Sequence, residues 1–210
     1  FSDFRLKWKM KELKEQRWYF FWRDSFDEKK LEEDKNLITK FYRNKGFKDF
    51  KFFEDSLVYS KGKNKLNIIF QVYEGEQYKY RNFSWEGMTL FNEEKLQLTL
   101  GLKNGDIYNE DDFNIALFSR VQGLYLDKGY IYSRIEPQIT PVSKDSIDIH
   151  FLITENHKVF INNIAIKGNT RTRENVIRRQ LRIFPGDVYN QERIARSYRE
   201  VMMLNFFANA

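Results

Sequence analysis

Asn82-Phe-Ser-Trp-Glu-Gly87-Met-Thr89-Leu-Phe-Asn-Glu93 decides the fold, because a shift of 81 residues lays it on Asn163-Ile-Ala-Ile-Lys-Gly168-Asn-Thr170-Arg-Thr-Arg-Glu174. The same shift puts Leu100 on Leu181 and Gly105-Asp-Ile-Tyr-Asn109 on Gly186-Asp-Val-Tyr-Asn190, without a gap. An earlier copy precedes them. Tyr42-Arg-Asn-Lys-Gly46-Phe47 matches Tyr125-Leu-Asp-Lys-Gly129-Tyr130 at a shift of 83, and Ile68, Phe70 and Glu74 match Ile149, Phe151 and Glu155 at 81. Self-similarity at a fixed period marks a tandem array of one supersecondary unit, here about 80 residues long. The expected modules are 1–75, lacking its first strand; 76–156, complete; and 157–210, lacking its closing hairpin.

The middle copy gives the unit its shape. Gln77–Glu86, rich in Tyr, Phe and Trp, reads as a strand that Gly87 ends. Asn92, followed by two glutamates, caps a short helix carrying Leu96 and Leu100. After the break at Gly105-Asp106, Asn109 caps a longer helix whose Phe113, Leu117, Val121 and Leu124 share a face, and Lys128-Gly129 closes it. A strand over 131–140, a turn at 143–145 and the alternating strand Ile147, Ile149, Phe151, Ile153 complete the order β-α-α-β-β. One apolar sheet face and two helices to cover it make each module a two-layer α+β sandwich. In the first copy the helices fall near 3–16 and 27–45, and the strands near 48–59 and 65–74, around Lys61-Gly-Lys-Asn64.

Composition excludes several other classes. Twenty Phe and twelve Tyr make a disordered chain untenable. With no cysteine there is no disulfide or thiolate metal site, and His150 and His157 lack carboxylates at metal-ligand spacing, so neither metal nor cofactor is expected. The apolar runs Trp18–Trp22 and Ile68–Val72 are far too short to span a bilayer, and no secretory signal opens at Phe1. Charge is unevenly placed. From residue 157 onward ten Lys and Arg face Glu174, Asp187, Glu192 and Glu200, which accounts for the whole formal net charge of +6. A basic end implies an acidic partner.

Lys167-Gly-Asn-Thr-Arg-Thr-Arg-Glu-Asn-Val-Ile-Arg-Arg-Gln-Leu181, followed by Phe184-Pro-Gly-Asp-Val-Tyr-Asn190, resembles the last polypeptide-transport-associated (POTRA) domain of BamA-type outer-membrane assembly factors. Leu204-Asn-Phe-Phe207 is similar to that domain's second helix ending, with Asn205 where Gly is common. Phe41–Phe47 and Leu124–Tyr130 resemble the corresponding helix ends of preceding copies, so the resemblance covers the whole chain. It implies three barrel-proximal POTRA modules, each a three-stranded mixed sheet covered by two helices, with the β-barrel itself absent from residues 1–210. It also implies a non-catalytic arm on the periplasmic side of the outer membrane of a Gram-negative bacterium. The implied partners are unfolded outer-membrane proteins, accessory lipoproteins and the protein's own C-terminal β-barrel, and no nucleic acid.

Candidate contact residues follow. Strand addition to an open sheet edge needs only unpaired backbone groups. The resemblance puts that edge on the second strand, with Phe50, Phe52 and Phe53 in the first copy and Ile131, Tyr132 and Ile135 in the second. Arg171 and Arg173, with Arg178 and Arg182 four apart on one helix, suit an acidic protein or an anionic membrane surface, or are simply solvated. Trp18 and Trp22 bound a run of five aromatics that reads as local packing or as a partner or lipid-headgroup contact. No catalytic group stands out. Glu32, Glu33 and Asp34 are interleaved with lysines as a solvated helix face, and the Gly-Asn-Thr and Gly-Asp-Val-Tyr-Asn strings read as turns with helix caps. Two rivals remain: the POTRA arm of a secretion or translocation pore, and a basic nucleic-acid-binding protein suggested by a pI near 9.3.

Overall fold

The computed structural model describes residues 28–59 and 66–207. The expected helix near 3–16, the turn at 61–64, and Trp18 and Trp22 lie outside them. The chain divides into two compact units. One gathers the described residues up to Asn82 with Lys103–Phe113 and Thr140–Asp148, and the other Phe83–Leu102, Asn114–Ile139 and the described residues from Ile149 onward.

In the first unit, helix α1 (Glu28–Arg43) buries Leu31, Ile38 and Tyr42. Tyr42 stacks on Phe50 with ring centroids 4.0 Å apart and meets Phe47 edge-on at 5.7 Å, an aromatic knot of the kind that dominates small cores. Strands β1 (Lys51–Tyr59) and β2 (Leu66–Tyr73) form an antiparallel pair, with the register slipping between Phe52 and Glu54. That slip is a bulge at Phe53. Tyr42 donates its hydroxyl to Glu74 at 2.6 Å, which holds that carboxyl below its ordinary range.

Strand β3 (Lys79–Glu86) opens the middle repeat, with Tyr80, Phe83 and Trp85 buried. Helix α2 (Glu93–Leu100) starts where Asn92 accepts from the Lys95 N–H at 3.0 Å, and it ends on Gly101 in the left-handed region. The Asn92 cap is the expected one, and the Gly101 cap comes four residues before the expected break at Gly105. The second helix is less regular: α3 (Glu110–Asn114) passes into a π-helical segment, Ile115–Val121, and then into α4 (Gln122–Asp127). Its buried large residues are Phe113, Leu117, Val121 and Tyr125, spaced by four, while Leu124 is half-buried. A straight α-helix with 3.6 residues per turn would rotate residues spaced by four steadily off the core. The wider π turn holds more residues and keeps them in line. Tyr125 therefore replaces Leu124 on the expected face.

Strands β4 (Arg134–Pro141) and β5 (Ser146–Thr154) close the middle repeat, in the sheet order β3-β5-β4. Ile147, Ile149, Phe151 and Ile153 are all buried, as their alternation requires. Contacts between β3 and β5 advance together, Arg81 with Asp148, Ser84 with His150 and Trp85 on Phe151, so these neighbours run parallel. With the β4–β5 hairpin the sheet is mixed. The β4 strand starts three residues later than expected, because Ser133 locks the turn before it: its N–H and hydroxyl donate to Tyr130 O, and its carbonyl accepts from Gln122.

Gly87 turns the chain across the end of β5. Its φ is +82°, and a Cβ there would lie 2.1 Å from the Ile153 carbonyl oxygen. Glu155 then accepts from the Thr89 and Leu90 N–H groups, each at 2.9 Å, and from the Thr89 hydroxyl. Burial alone would raise the Glu155 carboxyl, but these donors pull it below the usual range.

The third repeat contains α5 (Glu174–Arg178) and α6 (Gln191–Met202), the latter capped by Asn190 on the Arg193 N–H at 2.8 Å. α5 is shorter than α2. The counterpart of the capping Gly101 is Arg182, whose N–H goes instead to Ser197 Oγ at 2.7 Å.

Glu155 is lowered in the folded chain, so its stabilisation is complete above the ordinary glutamate range and is lost as pH falls through the folded value. Glu155→Gln is expected to cost on the order of 1 kcal/mol at neutral pH by urea unfolding, the worth of a charge-assisted bond at a half-exposed site. The gap to the parent should close below about pH 4. A gap that persists there would show that the charge is not what holds the turn.

Candidate functional site

Two structural features bear on function: the strand edges, and the way one repeat hands the chain to the next. The joints are built twice with equivalent residues. In the first unit Gly46, at φ +94°, ends the α1 turn, and its carbonyl accepts the Tyr78 N–H at 2.9 Å. A Cβ on Gly46 would lie 2.8 Å from Ile107 Cγ2. Asn44 Oδ1 accepts the Asp111 N–H at 3.1 Å, and Asn44 Nδ2 donates back to the Asp111 carboxylate at 2.7 Å. Lys40 pairs with Asp111 at 3.1 Å and Arg43 with Glu110 at 3.4 Å. Tyr78 donates its hydroxyl to Asp49, which with burial pushes that hydroxyl up to about 12.

In the second unit Gly129, at φ +89°, plays the same part, its carbonyl accepting the Val159 N–H at 2.9 Å. A Cβ there would lie 2.5 Å from Val188 Cγ1. Asp127 Oδ1 accepts the Glu192 N–H at 2.9 Å, and the Asp127 carbonyl accepts from Asn190 at 2.8 Å. The segment that follows is pinned alike in both copies, as β3 in the middle repeat and as an extended stretch with a single bridge, Phe160 to Val188, in the third. Gly105 N donates to Tyr80 O, as Gly186 N does to Ile161 O, both at 2.7 Å. The linkers are therefore fastened and not loose.

The two expected edges lie on β1 and β4, each at the margin of its sheet among the described residues. Not every predicted residue sits there. Phe50 precedes β1 and is buried, because it is the floor of the Tyr42 stack. Phe52 is half-buried against Phe50 and Phe70. Phe53 is 63% exposed, at the bulge, edge-on to Tyr73 at 6.1 Å, with Lys51 Nζ over both rings at 5.3 and 5.7 Å. Of the second group only Ile135 is in the strand, and it is buried. Ile131 and Tyr132 are in the turn that Ser133 locks, with Tyr132 exposed against His157 at 5.3 Å.

The arginines also divide. Arg178 ends α5 and pairs with Glu174, while Arg182 lies beyond that helix and pairs with Glu200 at 2.8 Å. The two do not share a helix face. Arg171 and Arg173 are exposed before α5, and with Arg179, Arg193 and Arg199 they have no carboxylate partner among the described residues. Sequence reasoning also left His150 isolated. The parallel β3–β5 pairing brings Ser84 Oγ to 2.8 Å from its Nδ1 and Glu86 to 3.1 Å from its Nε2. This chain lies on the outer side of the sheet, opposite the helices, and it could have been anticipated only from the strand register.

The sequence model of POTRA, described as a surface antigen variable number repeat, matches residues 1–75, 78–156 and 159–210. The chain belongs to the POTRA family. It is 31% identical over 190 residues to the outer membrane protein assembly factor BamA of Neisseria meningitidis serogroup B, covering 89% of this chain and 24% of that protein. A putative outer membrane protein assembly factor of Treponema pallidum is 26% identical, covering 88% of this chain and 22% of its own length. The crystal structure of Haemophilus influenzae BamA POTRA3-5 superposes with a TM-score of 0.77 at 19% identity, over 100% of this chain and 82% of that one. These are POTRA domains of a BamA-type protein, and the chain spans about a quarter of the length of those curated relatives.

Gly129→Ala is expected to cost roughly 1–2 kcal/mol from the left-handed backbone, plus the Val188 clash. Adding Val188→Ala should recover about 1 kcal/mol in a double-mutant cycle read by urea unfolding. Strict additivity would mean that the joint does not depend on this contact.

Proposed function

We propose that the chain is the three barrel-proximal POTRA modules, bounded near 1–75, 76–156 and 157–210, of a BamA-type assembly factor. They stand on the periplasmic side of the outer membrane of a Gram-negative bacterium, ahead of the protein's own C-terminal β-barrel. There they hold unfolded outer-membrane proteins by strand addition and dock accessory lipoproteins. The observation that carries the reading is β1, at the margin of its sheet among the described residues, with Phe53 exposed at its bulge and edge-on to Tyr73 of β2. An extended client gains main-chain bonds there without side-chain specificity, which suits a machine with many substrates. The unpaired Arg171, Arg173, Arg179, Arg193 and Arg199 are the surface for an acidic lipoprotein or an anionic membrane. The pore-arm reading stays second, because the matched curated relatives carry assembly-factor names. No helix of the described residues is long and apolar enough to cross a membrane.

The test is titration of a urea-unfolded outer-membrane β-barrel protein, diluted into buffer, against isotopically labelled chain. Amide signals of Lys51–Tyr59 should broaden first, and Phe53→Lys should weaken binding several-fold. Perturbation confined to the helices would sink strand addition, and salt-sensitive binding of single-stranded DNA would favour the nucleic-acid alternative.

A further inference from the structure

We infer that β4, the outer strand of the three-stranded sheet, is closed to an added strand by Pro137 and Pro141. The inference rests on the strand-addition reading above and narrows where it can occur. In an antiparallel ladder the N–H and C=O of one residue point to the same side, and those of the next residue point to the other. The Val142 N–H donates to Ser146 O at 3.0 Å, towards β5. Burial alternates from Arg134 to Thr140, with Ile135 buried, Pro137 and Ile139 half-buried, and Arg134, Glu136, Gln138 and Thr140 exposed, and Pro141 is exposed at the strand end one residue before Val142. The even-numbered residues therefore bond to β5, and the odd-numbered ones present their backbone to the open side.

That open side is poor in donors. Pro141 and Pro137 have no N–H, and their placement is the one a sheet tolerates, since neither costs a ladder bond. The next outward position is Ser133, whose N–H is spent on Tyr130 O at 3.1 Å and whose carbonyl accepts from Gln122 at 2.9 Å. Among the outward positions from 133 to 141, only Ile135 and Ile139 keep a free N–H. An incoming strand would meet a proline ring at every second outward position, facing its own carbonyls. β1 contains no proline in Lys51–Tyr59. The two margins look alike in topology and differ in chemistry.

The experiment uses a nine-residue peptide amide alternating Tyr or Val with Thr, with a central benzophenone residue. It is cross-linked to the 210-residue chain and to its Pro137→Val/Pro141→Thr variant, and labelled segments are mapped by mass spectrometry. The parent should be labelled within Lys51–Tyr59 and at background within Arg134–Pro141, and the variant should gain at least ten-fold in the latter. Labelling of Arg134–Pro141 in the parent equal to that of β1 overturns the inference. So does a folded variant that stays unlabelled at β4, or a variant that cannot fold, since both positions face outward and either single substitution should be tolerated as well. If the variant gains label at β4 while β1 is unlabelled in both chains, the proline inference stands and strand addition at β1 fails.

Discussion

Each joint between repeats depends on the carbonyl of a glycine in the turn that follows a helix. Gly46 and Gly129 sit in the left-handed region, and there each carbonyl takes an N–H of the following repeat, from Tyr78 and from Val159. The end of a helix leaves its last carbonyls without internal partners. After α4 one of those vacancies, the Asp127 carbonyl, is filled by Asn190 of the following repeat, and after both helices the glycine carbonyl in the turn makes the joint. Ile107 and Val188 press so close that no side chain fits at either glycine. An acceptor beside each glycine, Asn44 or Asp127, then takes an N–H from the start of the next long helix. Helix capping, normally a local matter worth about 1 kcal/mol, is used here to join neighbours.

Much of this was legible in the residues, and for local reasons. Asn92, Asn109 and Gly129 act within three or four positions of themselves, so their capping roles could be read directly. The alternation of Ile147 to Ile153 fixed which way β5 faces, because one apolar face must be buried. What stayed hidden depended on partners distant in sequence. Phe50 reads as a strand residue until the Tyr42 ring stacks on it. Ile131 and Tyr132 carry strand-forming side chains, but the hydrogen bonds of Ser133 hold them in a turn. The π segment obeys a four-residue spacing that the usual helical period does not describe. Arg178 and Arg182 looked like one helical face, but the helix ends at Arg178 and the Arg182 N–H goes to Ser197, a partner distant in sequence.

The chemistry offered to partners is correspondingly plain. The exposed groups on which the proposed reading rests are backbone edges, a small aromatic strip at Phe53 and Tyr73, and guanidinium groups of the third repeat. In the proposed reading, backbone recognition is permissive, charge recognition is long-ranged, and the two fall on different repeats. A strand margin can be tuned without altering the fold, since the side chains and imino acids along it affect pairing more than packing. The bulge at Phe53 and the prolines of β4 are two such adjustments.

The paired glycine joints also have a thermodynamic consequence. Each ties a helix end only to the copy that follows, so the free energy of the array is a sum of one term per copy and one term per neighbouring pair. Cooperativity in such a chain extends only as far as its coupling terms outweigh the differences between copies. Loosening one joint uncouples the copies on either side of it without erasing either core, and denaturation then becomes a sequence of partial steps in place of one transition.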